Sequence, residues 1–216
     1  MNVLYTLVEF FTTGGVFMYP ILIVFAVGLA IAIERYITLT GVTRRNRRIW
    51  QQVQPLLDQG QFDEAREVTN GDPSTISQVL SMGLSLQGAV HRREDIEIAM
   101  EESMMGIVPR LEKRTPYVAL ASSIATLLGL LGTIMGLIQA FTAVANANPA
   151  EKADLLSASI SVAMNTTAFG LMVAIPLLVV HAVLTSKTGD IIDSLEMATV
   201  KALNVFSRHA LRVAGA

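Results

Sequence analysis

The sequence contains no cysteine, which excludes disulfides, thiolate nucleophiles and cysteine-ligated metals and leaves the redox compartment unread. Its three histidines, His91, His181 and His209, are far apart and form no ligand cluster. The polar segments hold no Gly-rich phosphate loop, no paired catalytic motif and no metal-ligand spacing, so nothing in them points to an enzyme or a cofactor. A net charge of −2 offers no global basic field for nucleic acid. The most informative absence is local. No Asp, Glu, Lys or Arg lies between Pro116 and Pro149, or between Leu155 and Ser186, where His181 is the sole ionisable side chain apart from tyrosine. With 52% hydrophobic residues, 16% charged residues and a mean hydropathy of +0.51, the composition is that of an integral membrane protein.

What is present is organised around residues 119–141, a charge-free stretch long enough for a bilayer core, which needs about 20 residues at 1.5 Å each. Ser122, Thr126, Gly129, Thr133, Gly136 and Ala140 recur at alternating spacings of four and three, which puts them on one helix face. Leucine, isoleucine and methionine fill the rest of the circumference. Two roles fit such a thin, polar front: a small-residue packing seam between membrane helices, or one wall of an ion path.

Taken in order, residues 1–15 have no basic n-region, and the run after them lacks a small-residue cleavage site, so no removable signal peptide is expected. Residues 16–33 form the first apolar run, with Pro20 near its start, and Glu34-Arg35 closes it. The cluster Arg44, Arg45, Arg47 and Arg48 then marks the cytoplasmic side, which turns the amino terminus outward. Residues 39–115 read as a solvated helical domain. Gly60 stops one helix, and Asn70-Gly71-Asp72-Pro73 makes a turn with Asp72 as N-cap and Pro73 at the first helical position. Ile76, Val79, Leu80, Met82/Gly83 and Leu86, then Ile96, Ile98/Ala99 and Met105, keep to a helical period. Arg110, Lys113 and Arg114 precede the second span and hold this segment in the cytoplasm. After that span, Asn148 is expected as N-cap, with Pro149 first in the helix and Glu151 completing the cap. Residues 155–185 are the third span, with a small, polar face of Ser159, Ala163, Thr166/Thr167, Gly170 and Ala174, and Asn165 beside it. Buried amides and hydroxyls are costly in lipid unless satisfied, so these groups should face protein or water. The expected layout is all-α. A segment 1–15 lies outside, spans cover 16–38, 116–145 and 154–186, an outer turn covers 146–153, and a helical tail 187–216 continues the third span into the cytoplasm.

Two hydroxyl-bearing helices thus form a hairpin with no carboxylate in it. A proton path needs a titratable group, and placing one in lipid costs about 2.5–3.5 kcal/mol on insertion scales. Either the chain carries no ion, or a partner supplies the acid.

The stretch with Gly129, Gly132, Thr133, Gly136 and Phe141 resembles the signature of the MotA/TolQ/ExbB proton-channel family. So does the third-span stretch with Thr166, Thr167, Gly170 and Pro176, and the three-span layout is similar to that of ExbB and TolQ. The resemblance implies a bacterial inner-membrane homo-oligomer, a pentamer, around a dimer of an ExbD/TolR-like single-span partner that brings the membrane aspartate. It also implies a TonB-like or TolA-like transducer and motion driven by the proton-motive force. The pore-facing threonines of the family map onto Thr133 and Thr167; Thr166, Asn165, Thr126 and Ser122 join them as ion-path candidates, and Gly129, Gly132, Gly136 and Gly170 as helix-packing residues. Two positions depart from the pattern. Val162 stands where ExbB and TolQ usually have glutamate, and Thr126 where the family often has proline. The resemblance therefore fixes neither the branch nor proton against sodium. A non-conducting membrane scaffold and a MotA-like stator subunit are the alternatives, although MotA proper is longer, with four spans. A membrane-embedded enzyme would need a nucleophile–base or metal set that is not found.

A cysteine-free chain is well suited to single-cysteine labelling. Asn148→Cys should react from the outer side and Gln59→Cys from the inner side; both on one side would sink the three-span topology.

Overall fold

The computed structural model describes residues 14–89, 92–146 and 148–214. It is 90% helical, with no strand among the described residues. The elements in chain order are α1 (Met18–Gln59), α2 (Phe62–Asn70), α3 (Thr75–Leu86), α4 (Arg93–Glu112), α5 (Thr115–Asn146) and α6 (Lys152–Ala214). Among the described residues, three helical stretches, lying in α1, α4–α5 and α6, are long and apolar enough to cross a membrane.

The apolar run of α1 ends at Glu34-Arg35, but the helix does not. Its i→i−4 ladder is indifferent to polarity and continues through the arginine cluster to Gln59. There Gly60, at φ +75°, stops it in the left-handed conformation that glycine adopts without penalty. The tail likewise continues the third span as one 63-residue helix, about 95 Å long at 1.5 Å per residue. The turn before it differs from expectation. Residues 149–151 form a turn, with the Glu151 N–H donating to the Asn148 carbonyl at 3.0 Å, and the α-helix begins at Lys152.

The chain forms two compact units, one of residues 14–34 and 114–183, the other of residues 35–113 and 184–214. The second obeys the rules of a water-soluble domain. Leu80, Leu84, Met100, Leu195 and Leu203 are fully buried, and Phe62 packs edge-on to Phe206 at 5.5 Å and to His209 at 5.0 Å. Gly83 packs against the Met100 side chain, whose sulfur would have to move to admit a Cβ there, at 2.5 Å. The apolar phase of α4 differs from the predicted one. Ile96, Met100, Ile107 and Leu111 face inward, whereas Ile98 and Met105 are exposed. Met82 is exposed too, and Gly83 and Leu84 take its place in the α3 core. In these mixed helices the apolar residues admit two phases, and contact with the facing helices selects between them.

The start of α3 also corrects the sequence reading. Asp72 is not its N-cap; Ser74 is, and the helix begins at Thr75. The Ser74 hydroxyl accepts from the Ser77 N–H at 3.3 Å, while buried Asn46 of α1 accepts from the Ile76 N–H at 3.3 Å. Two otherwise orphaned first-turn donors are thereby satisfied. Asp72 instead accepts from the Ser74 backbone N–H at 2.7 Å, an Asx turn that sets up the cap. At the other end of the unit, the buried Arg35 guanidinium donates to the Leu111 carbonyl in the last turn of α4. Lys187 donates to the Thr40 hydroxyl at 2.6 Å and lies 4.2 Å from the centre of the Tyr36 ring.

Hydrogen bonds from Ser74 hold the Asp72 carboxyl below the ordinary carboxylate range, with Arg45 nearby adding to the effect. A carboxyl whose folded value is depressed contributes stability above its unfolded value, about 3.9, and loses it as pH falls through the folded value. The full chain in detergent should therefore lose stability below about pH 4, and Asp72→Asn should flatten that part of the profile. Ser74→Ala should cost about 1 kcal/mol at neutral pH in chemical unfolding. An unchanged acid limb in Asp72→Asn would remove Asp72 from this role.

Candidate functional site

The unit of residues 14–34 and 114–183 is built on the crossing of α5 and α6. In lipid, apolar side chains gain nothing by leaving acyl chains for one another, so membrane helices associate through close packing and hydrogen bonds. Here the backbones approach closely enough that a Cβ on Gly170 would lie 2.8 Å from the Ala125 carbonyl oxygen and 3.0 Å from the Gly129 Cα. A Cβ on Gly132 would overlap the Thr166 side chain, and one on Gly136 would lie 2.8 Å from the Ala163 Cβ. From α1, Gly28 packs against Ala121 and Leu177 with the same lack of room.

The face anticipated from sequence is divided by this crossing. Its buried stripe on α5 runs through Ala121/Ser122, Ala125, Gly129, Gly132 and Ala140. Thr126 and Thr133 stand at its margin: Thr126 is exposed and Thr133 half-buried. On α6, Ala163, Thr166, Gly170 and Ala174 are buried, and Thr167 is half-buried at the edge. Asn165, also half-buried, lies on another face of the helix. His181 is half-buried. Arg44, Arg45, Arg47 and Arg48 are all exposed on α1, in the other unit.

Every site hydroxyl donates to a backbone carbonyl. Ser122 reaches across to Ala174 O at 2.7 Å, and Thr167 to Gly129 O at 2.8 Å. Thr166 donates to Gly14 O at 2.5 Å and to Val162 O at 3.0 Å. Thr126 and Thr133 bond within their own helix, to Ser122 O at 3.1 Å and Leu130 O at 2.6 Å. Thr133 and Thr167 meet at one turn: the carbonyl of Gly129 receives the Thr167 hydroxyl and is also the i−4 acceptor of the Thr133 N–H. A hydroxyl has one proton and two lone pairs, so each threonine in this arrangement offers its environment an acceptor. No carboxylate, ammonium or guanidinium lies on these stretches of α5 and α6, so the site can receive a proton donor but supplies none of its own. No cluster of metal-ligating side chains occurs among the described residues.

Two features escaped the sequence reading. Ala121 and Ala125 lie on the buried side of the seam, Ala121 against Gly28 and the Ala125 carbonyl against Gly170; their small size was visible, but two adjacent phases of small residues competed. Gly14 and Gly15, just before α1, meet the third span, where a Cβ on Gly15 would lie 3.2 Å from Val162. The position that departs from the ExbB and TolQ pattern thus packs against backbone. The remainder of the segment 1–13 lies outside the described residues.

Comparison with known proteins matches residues 72–197, more than half of the chain and including the α5–α6 crossing, to the MotA/TolQ/ExbB proton channel family. A putative biopolymer transport protein ExbB homolog of Methanothermobacter thermautotrophicus is 29% identical over 199 residues, covering 91% of this chain and 69% of its own length. The putative biopolymer transport protein ExbB-like 1 of Synechocystis is 29% identical over 195 residues, covering 87% of this chain and 74% of its own. The Tol-Pal system protein TolQ of Haemophilus influenzae is 36% identical over a shorter stretch of 78 residues, 36% of this chain and 34% of its own. Through its hairpin of small-residue and hydroxyl-bearing helices and this match, the chain belongs to the MotA/TolQ/ExbB proton channel family.

Proposed function

We propose that this chain is the multi-span half of an inner-membrane motor, an oligomer enclosing a single-span ExbD/TolR-like partner whose membrane aspartate carries the proton. The family match supports a multi-pass membrane protein and an ExbB/TolQ-like proton channel subunit. One observation carries the rest. The hydroxyls of Thr133 and Thr167 sit at the margin of the α5–α6 seam with lone pairs to offer, in helices that contain no acid. Such acceptors suit a protonated carboxyl group, which donates. When the acid ionises, it accepts, and a threonine must rotate its O–H away from the backbone to hold it. Each proton falling through 100 mV releases about 2.3 kcal/mol, comparable to a few such hydrogen bonds. The outward amino terminus, the pentamer and a TonB-like or TolA-like transducer belong to the same proposal. A non-conducting scaffold draws support from Ser122 and Thr166, whose hydroxyls are buried and committed to backbone carbonyls.

Two experiments separate these readings. Thr133→Val and Thr167→Val keep the volume and remove the hydroxyl, and each should cut energised activity roughly fivefold, as loss of one hydrogen bond of about 1 kcal/mol implies. Assembly should be kept, and Thr→Ser should restore activity. Thr126→Val should matter less. If both Val variants assemble and work like the parent, the threonines only pack.

The seam should respond differently. Gly170→Ala forces a Cβ against the Ala125 carbonyl and should lower oligomer yield on native gels together with thermal stability. Undiminished yield and stability would mean that the helices do not approach this closely.

A further inference from the structure

We propose that a cleft on α1 binds the phosphate of an anionic membrane lipid. Gly41, Arg44, Arg45 and Arg48 form one wall, and Asp72-Pro73, before α3, form another, around an open space of about 650 Å³. All three guanidiniums are exposed, and among the described residues none has a carboxylate within 4.0 Å. The acid in the cleft, Asp72, is already engaged by the Ser74 N–H and leaves the cleft an excess of two positive charges. The cluster is made of arginine without lysine, and the planar fork of arginine matches phosphate oxygens in pairs.

A lipid fits this cleft better than a free anion does because the helix face that forms its wall carries an exposed apolar residue on the side toward the span. Ile37, Gly41, Arg44/Arg45 and Arg48 recur every three or four residues and share one face of α1. Ile37 is 65% exposed, and a Cβ on Gly41 would meet nothing within 4 Å, so the face between them is open. From Ile37 to Arg44 is about 10 Å of helix, enough to cross the roughly 5–7.5 Å that each headgroup layer adds to the hydrocarbon core. An acyl chain beside Ile37 would leave its phosphate at the arginines. Lipid binding at this cleft is independent of the proton path and is a role beyond the expected one of these arginines in setting topology.

The test is native mass spectrometry of the detergent-solubilised full chain with phosphatidylglycerol or phosphatidylcholine added in equal amounts. Phosphatidylglycerol should be retained in preference. Each of Arg44→Gln, Arg45→Gln and Arg48→Gln should weaken retention roughly fivefold, the usual worth of one cation beside an anionic membrane surface. Arg47→Gln, in the same cluster but outside the cleft, should change it little. Asp72→Asn keeps the Asx turn, removes the opposing charge and should strengthen retention, which keeps the test alive should an arginine variant fail to fold. Equal retention of the two lipids overturns the proposal. So does an Arg47→Gln loss equal to the others, which would mean diffuse surface charge. Full displacement by millimolar inorganic phosphate overturns the lipid in favour of a free phosphate ion.

Discussion

The approach of two backbones at Gly129 and Gly170 is the constraint on which the membrane unit depends. Water drives helices together in a soluble protein, whereas in lipid that force vanishes and contact distance decides. Removing side chains from the crossing brings backbone carbonyls within reach of hydroxyls on the facing helix, which is why Ser122 finds Ala174 and Thr167 finds Gly129. Each such bond is worth only about 0.6 kcal/mol in membrane proteins, so packing supplies most of the association and the hydroxyls fix its register.

The same crossing sorts the hydroxyls by environment. Ser122 and Thr166 are buried and satisfied by backbone. Thr126, Thr133 and Thr167 stand at its edge, where each donates its O–H to a carbonyl and keeps its lone pairs. A unit built this way can hold an acid but has none, and the proposed partner is what the chemistry lacks. Val162, which packs beside Gly15 where relatives of the ExbB and TolQ type usually have glutamate, leaves that division of labour intact.

The unit of residues 35–113 and 184–214 obeys a different solvent. Its helices bury leucine, methionine and phenylalanine, and its polar contacts lie where backbone would otherwise go unsatisfied: Asn46 and Ser74 at the start of α3, Arg35 at the end of α4. The exposed arginines of α1 are the exception, because no carboxylate of the described residues pairs with them. Charge left unpaired along a membrane helix is where a charged ligand is to be sought.

The sequence by itself determined the helical class, the three apolar spans, the helix stop at Gly60 and the continuation of the third span into the tail. Each is a local property: bilayer length, the steric freedom of one glycine, an uninterrupted ladder. It also determined that the hairpin holds no acid, since that is a matter of composition. Only the tertiary structure decided which phase of small residues forms the seam. Ala121, Ala125 and Gly132 lie one helical step from the spacing through Thr126 and Thr133, and periodicity cannot choose between two adjacent stripes when both are small. The choice rests on how closely the facing backbone comes, a distance set by Ala163, Thr166 and Gly170 on another helix. The cap of α3 was decided the same way. Asp72 and Ser74 are both good cap residues, and Asn46, distant in sequence, completes the set of acceptors for a helix that begins at Thr75.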